Sequence, residues 1–124
     1  MSLRVEEYVR PDGSIPYRTW FERLEPQAAA KAAVAMVRLS MGNTSMVKWF
    51  EGIGEYVIDR GPGYRLYLAR DAEELLVLYG GGTKRRQPAD IARAKALHAE
   101  YEARKAAARR PDPVRGSRPY RKRR

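Results

Sequence analysis

The sequence contains no cysteine and a single histidine, His98. Disulfides and thiolate metal sites are therefore excluded, as are a histidine-built metal centre and a two-histidine acid–base pair. Long hydrophobic runs are missing too. No stretch approaches the roughly 20 apolar residues that a membrane-spanning helix needs, and Met1-Ser2-Leu3-Arg4-Val5-Glu6-Glu7 carries no apolar segment of the signal-peptide kind. These absences set the expectation of a cytoplasmic protein that works without metal, cofactor or membrane.

What the chain has in excess is positive charge, +10 over 124 residues, and it is unevenly placed. Between Ala108 and Arg124 eight cations face one carboxylate, Asp112, which leaves +3 for residues 1–107. The expected organisation is one domain, residues 1–107, followed by a basic tail, residues 108–124. In the tail prolines and Gly116 interrupt any apolar period, so it is expected to be disordered alone. A domain of this size buries about two-thirds of its unfolded surface, enough for a thin core.

Leu3 to Val9 alternates as a first strand and ends at the turn cluster Arg10-Pro11-Asp12-Gly13-Ser14. Pro16 opens a helix bearing Trp20, Phe21 and Leu24 on one face. Glu25-Pro26 restarts a second helix, Gln27 to Leu39, whose stripe is expected at Ala29, Ala33, Met36 and Val37, with Gly42 as its C-terminal cap. Met46–Phe50 and Glu55–Ile58 are short strands. Pro88 to about Ala107 is a third helix, buried along Ile91, Ala94, Leu97 and Tyr101. The order β-α-α-β-β-β-β-α predicts an α+β fold: a small, mostly antiparallel sheet with an N-terminal helical hairpin and a C-terminal helix.

The most informative stretch spans the last two strands and the turns that flank them. Gly61-Pro62-Gly63 is turn chemistry. After it Tyr64, Leu66 and Leu68 point one way, and Arg65 and Tyr67 the other, as in a half-buried strand. Ala69–Glu73 reads as a five-residue hairpin loop to the strand Glu74–Tyr79. Gly80-Gly81-Gly82-Thr83 then leads to Lys84-Arg85-Arg86, three cations ahead of a helix. Basic and aromatic side chains on one face of a small sheet point to an RNA-facing or anion-facing surface.

The residues Gly61-Pro62-Gly63-Tyr64-Arg65-Leu66-Tyr67, Gly81-Gly82-Thr83-Lys84 and Gln87-Pro88-Ala89-Asp90-Ile91-Ala92-Arg93-Ala94 carry a family likeness. Gly42-Asn43, Lys48 and Gly52-Ile53-Gly54-Glu55 extend it upstream. In this order and spacing, over roughly residues 15 to 102, the chain resembles the toxins of bacterial type II toxin–antitoxin pairs. The branch is the "addiction module killer protein" group of the RelE/ParE superfamily, close to the HigB-like toxins.

That resemblance implies a metal-independent endoribonuclease that cleaves mRNA, commonly on the ribosome, through attack of a ribose 2′-OH on the adjacent phosphodiester. It implies a cognate antitoxin, a helix-turn-helix protein, as partner. On it, Arg65 is a phosphate or transition-state ligand, Lys84 and Arg85 are phosphate contacts, and Lys48 adds a further cation or a proton acceptor. Each has a plainer alternative: a solvated strand arginine, a charged turn, an edge-strand lysine. Tyr67, beside Arg65, is the candidate for base stacking, whereas Tyr64 and Tyr101 are expected to pack. Gln87 and Asp90 are expected as helix caps, and His98 as an exposed helix residue.

One position departs from the family pattern: Val57 stands where an arginine is usual. A charge-assisted hydrogen bond of about 1.5–3 kcal/mol is lost there if that arginine holds phosphate, and Arg60 is the neighbour placed to replace it. In the tail, Arg121, Lys122, Arg123 and Arg124 read as a salt-sensitive nucleic-acid contact, the alternative being a segment that only raises solubility. Three functions therefore compete: the endoribonuclease, a gyrase-targeting or other non-nucleolytic toxin of the same fold, and a non-toxic member that only binds its antitoxin.

Overall fold

The computed structural model describes residues 2–58 and 63–109. The chain runs β1 (Arg4–Glu7), α1 (Pro16–Glu22), α2 (Pro26–Ser40), β2 (Val47–Phe50), β3 (Ile53–Ile58), β4 (Tyr64–Asp71), β5 (Leu75–Thr83), a single 3-10 turn (Lys84–Arg86) and α3 (Gln87–Arg109). The strands form one mixed sheet in the order β1-β5-β4-β3-β2, with β1 parallel to β5 and the other pairs antiparallel. The fold is α+β, as the element order predicts.

Local chemistry explains the helix ends. Pro16 and Pro26 occupy first-turn positions, where the missing N–H costs nothing. Glu25 caps α2 by accepting from the Gln27 N–H at 3.3 Å. Gly42, at φ +90°, closes α2: its N–H reaches the Leu39 carbonyl and that of Asn43 reaches Arg38, the paired bonds of a Schellman ending. The buried stripe of α2 is Ala28, Ala32, Ala35 and Leu39; of the expected Ala29, Ala33, Met36 and Val37 only Met36 packs against this core, partly buried, and Val37 is more than half exposed. Six alanines in fifteen residues give almost no contrast from which to fix the rotation of a helix.

Both faces of the sheet are covered, so the expected half-buried sheet is corrected. On one side Leu66, Leu68, Leu76 and Leu78 pack with Tyr56 and Ile58 under α1 and α2. On the other, Tyr67, Ala69, Val77 and Tyr79 pack with Ile53 under α3. The β4–β5 hairpin is also longer than expected: β4 runs to Asp71, Ala72 takes a left-handed φ of +63°, and Gly80–Gly82 continue β5. A bulge at Tyr67/Leu68 places Tyr67 opposite Gly80 and Leu68 opposite Leu78.

Helix α3 buries only Ala94 and Leu97 fully, and polar bonds do much of the remaining fastening. Tyr8 donates to the Glu100 carboxylate at 2.7 Å, and Arg10 pairs with the same group at 2.9 Å. Tyr101 donates to Asp71, which also pairs with Lys105 at 2.6 Å. His98 is half-buried rather than exposed: its Nδ1 shares a 2.8 Å hydrogen bond with the Tyr79 hydroxyl and its ring stacks on Tyr101.

The bonds from Lys105 and Tyr101 hold Asp71 below the usual carboxylate range, and those from Arg10 and Tyr8 do the same for Glu100. A depressed folded pKa contributes stability that is complete above the unfolded value near 4 and is lost as pH falls through the folded one. Acid should therefore loosen α3. The fall in Tm between about pH 6 and about pH 3 should be smaller in Asp71→Asn than in the native chain. Equal falls would remove Asp71 from this account.

Candidate functional site

Strand register brings five notable residues to the α3 face. Glu55 on β3 lies opposite Lys48 on β2 and Tyr67 on β4, and Val57 lies opposite Arg65. Directly opposed residues share a face, so Lys48, Glu55, Val57, Arg65 and Tyr67 form one patch toward the Val57 end of β3.

Glu55 organises it. It is the one charged residue among those described that is fully buried, at 3% exposure. Its Oε2 accepts from the Tyr67 hydroxyl at 3.0 Å and from Gln87 Nε2 at 2.7 Å, and lies 3.3 Å from Arg65 Nε. The Arg65 contact is off-axis and acts as an ion pair, since Nε has no aligned hydrogen-bond acceptor. Arg65 also donates through Nη1 to the Gly63 carbonyl at 2.7 Å. Burial, and then the bond to Glu55, push the Tyr67 phenol well up, so it stays a neutral donor. One carboxylate thus ties β3, β4 and the start of α3 around a guanidinium whose side chain is 13% exposed.

The 3-10 turn adds more charge. Arg65 Nη1 and Lys84 Cβ lie 3.1 and 3.4 Å from the single point that a Cβ on Gly63 would occupy, so the base of the Lys84 side chain stands near the Arg65 guanidinium. Lys84 and Arg85 are exposed on that turn, and Lys48 is exposed on the edge strand. None of the three has a hydrogen-bond or ion-pair partner among the described residues, in contrast to Arg10, Arg18, Lys95 and Lys105. No group of three or more histidine and carboxylate side chains converges as metal ligands among the described residues.

Three expectations are corrected. Tyr67, expected to offer its ring to a base, is 1% exposed beneath α3 and holds Glu55 instead. Gln87 gives its side-chain amide to Glu55 rather than capping α3. Asp90 makes no capping bond: its Oδ2 is buried without a hydrogen-bond partner among the described residues, and burial pushes its pKa up against the pull of Arg86 and Arg93. Arg60, Arg121, Lys122, Arg123 and Arg124 lie outside the described residues. The residue that sequence reasoning missed is Glu55, and its signal was present: one carboxylate in the otherwise uncharged strand Ile53–Ile58.

The glycines of β5 are what allow the site to close. A Cβ on Gly82, opposite Arg65, would fall 1.8 Å from Asp90 Oδ2. One on Gly81 would fall 2.3 Å from the Arg65 carbonyl oxygen and 2.5 Å from the Trp20 ring. Because backbone blocks it, Gly81→Ala must displace β4 from β5. We expect a loss of about 3 kcal/mol or more, above the usual cost of overpacking, read as a lower urea midpoint. An unchanged midpoint would show that the strands tolerate the added methyl.

No protein-family model matches the chain. Over 89 residues it is 37% identical to an uncharacterized protein of Haemophilus influenzae, a match spanning 70% of this chain and 90% of that one. No described helix is long and apolar enough to cross a membrane.

Proposed function

The chain belongs to the same family as this Haemophilus influenzae protein, and from its site we propose that it is the toxin of a type II toxin–antitoxin pair, a metal-independent endoribonuclease of RelE/ParE-like fold that cleaves mRNA and is neutralised by a cognate antitoxin. The observation that carries this reading is the pairing of Arg65 with a buried carboxylate, with the base of the Lys84 side chain close to its guanidinium. An arginine fixed by Glu55 meets its ligand without first losing side-chain freedom, which is what transition-state stabilisation requires.

In the proposed reaction the ribose 2′-oxygen bonds to phosphorus and gives its proton to water, while the bond from phosphorus to the 5′-oxygen breaks and that oxygen takes up a proton from water. The products are a 2′,3′-cyclic phosphate and a 5′-hydroxyl. Negative charge gathers on the non-bridging oxygens of the phosphorane. Arg65 and Lys84 stabilise it, and Arg85 and Lys48 hold flanking phosphates. Glu55, with its Oε2 engaged by two hydrogen-bond donors and the Arg65 ion pair, is a positioning residue, and buried Tyr67 serves Glu55 rather than RNA.

A second reading, a non-toxic member that only binds its antitoxin, is favoured by one observation. Val57 stands directly opposite Arg65, where the RelE/ParE-like pattern places another arginine. Induction in a bacterial host, with and without the adjacent reading frame, separates the two. Growth arrest with new 5′-ends inside translated messages supports the nuclease. Arrest with broken plasmid DNA would mean a gyrase poison, and unimpaired growth the non-toxic member.

A further inference from the structure

Next to Lys48 on the edge strand β2, and on the opposite sheet face, stands Trp49, a large aromatic that the fold leaves 44% exposed. Its ring lies against β3 because Gly54, directly opposite, has no side chain. A Cβ there would fall 2.8 Å from Cζ3 of the indole and 2.9 Å from Cε3. From β4 the exposed Arg70 guanidinium stands 5.9 Å from the ring centroid, while its Nη1 donates to the Glu73 carbonyl at 2.8 Å. That single bond occupies only part of the guanidinium's donor set. Glu51, the nearest carboxylate along the chain, is engaged by Lys95.

The backbone supplies a further donor. Glu51 and Gly52, at φ +51° and +90°, form the two-residue turn of the β2–β3 hairpin, so Phe50 and Ile53 exchange hydrogen bonds across it. The next pair, Trp49 and Gly54, is then the widely spaced kind, and the Trp49 N–H points away from β3. No strand lies on that flank among the described residues.

We propose that Trp49 is a stacking platform for one base of a single-stranded nucleic acid, with Arg70 and the Trp49 N–H taking the phosphates beside it. An aromatic face flanked by cations is what a nucleotide engages without regard to sequence. Charge selects the occupant: Arg70 beside the ring and Lys48 next along the strand, both exposed, suit a polyanion. A second copy would bring the same cations together. Trp49 lies three residues along the strands from the Val57–Arg65 pair and two strands across from β4, about 10 Å in each direction. An RNA strand leaving Arg65 therefore passes Lys48 at the β2 edge and sets a base on Trp49 a few nucleotides from the cut. That role in cleavage rests on the nuclease reading, whereas the stacking itself does not.

The test uses the full chain and a 2′-deoxyadenosine oligonucleotide of about ten nucleotides, which lacks the attacking 2′-oxygen and so reports binding alone. An abasic oligonucleotide of the same length is the control. We expect the indole N–H resonance of Trp49 to move on titration and that of Trp20, the other tryptophan, to stay. Trp49→Ala should bind at least about tenfold more weakly with an unchanged salt dependence, because it removes a stacked base and no charge. Trp49→Phe should keep most of the affinity, and Arg70→Ala should lower the salt slope by about one. No binding at about 1 mM, full affinity in Trp49→Ala, or an equal Trp49 shift with the abasic chain would overturn the proposal. A Trp49 shift on concentrating the protein alone would assign the ring to a second copy and likewise overturn it. Stacking by a chain that leaves RNA intact would remove the nuclease reading and keep the platform. RNA cleavage without stacking would do the reverse.

Discussion

Arg65→Ala should lower RNA cleavage about 100-fold, because one preorganised donor to a developing oxyanion is worth roughly 10²–10³ in rate. The Arg65 side chain is fixed at two points, by Glu55 and by the Gly63 carbonyl, so its charge stands in place before RNA arrives. The loss should fall on the rate at saturating RNA rather than on RNA affinity, since Lys84, Arg85 and Lys48 still attract phosphate. Arg65→Lys should recover little: an ammonium keeps the charge but cannot face Glu55 and donate to Gly63 at once. Circular dichroism and a thermal scan on each variant separate this from unfolding. An Arg65→Ala protein that is folded and fully active would show that the arginine is only an ordinary strand residue.

The largest stability effect should come from Glu55→Leu. Glu55 and Arg65 are almost wholly buried, with side-chain exposures of 5% and 13%. Removing the carboxylate leaves a guanidinium without its counter-ion and strands the Tyr67 hydroxyl and the Gln87 amide, which Glu55 accepts from at 3.0 and 2.7 Å. Breaking a buried pair on one side costs about 3–5 kcal/mol, a large share of the 5–15 kcal/mol that holds a typical domain together. Adding Tyr67→Phe to Glu55→Leu should restore part of the loss, because the orphaned hydroxyl goes with its partner. Urea titration of both single variants and the double measures the coupling. Additive effects would mean that Tyr67 and Glu55 do not share one network.

The outline of the fold was legible because its punctuation is strong. Pro16 and Pro26 open helices, Gly42 closes one, and Ile91, Ala94, Leu97 and Tyr101 keep a helical period against the sheet. The rotation of α2 was not legible, since alanines line every side of it. Nor was the third layer. Alternation in β4 assigns Arg65 and Tyr67 to one face but is silent on what covers that face, and α3 turns an expected solvent surface into a second core. Of the candidate site, the juxtaposition of Arg65 with the Lys84 turn could be anticipated from hairpin geometry. The role of Glu55 could not, because it depends on a register that places Tyr67 directly opposite and on a helix start that delivers Gln87. The glycine run lies beyond the expected strand Glu74–Tyr79 and proves to continue it, with the missing Cβ atoms of Gly81 and Gly82 making room for neighbours.

The central claim is that Arg65 and Lys84, whose side chains both approach Gly63, together grip a single RNA linkage. It is tested most directly by mapping the 5′-ends of cellular RNA, and their chemistry, after induction of the native chain and of Arg65→Ala/Lys84→Ala. The account predicts new 5′-hydroxyl ends within translated messages for the native chain and none for the double variant. Identical end profiles for the two proteins, whether both cut or neither does, would contradict it.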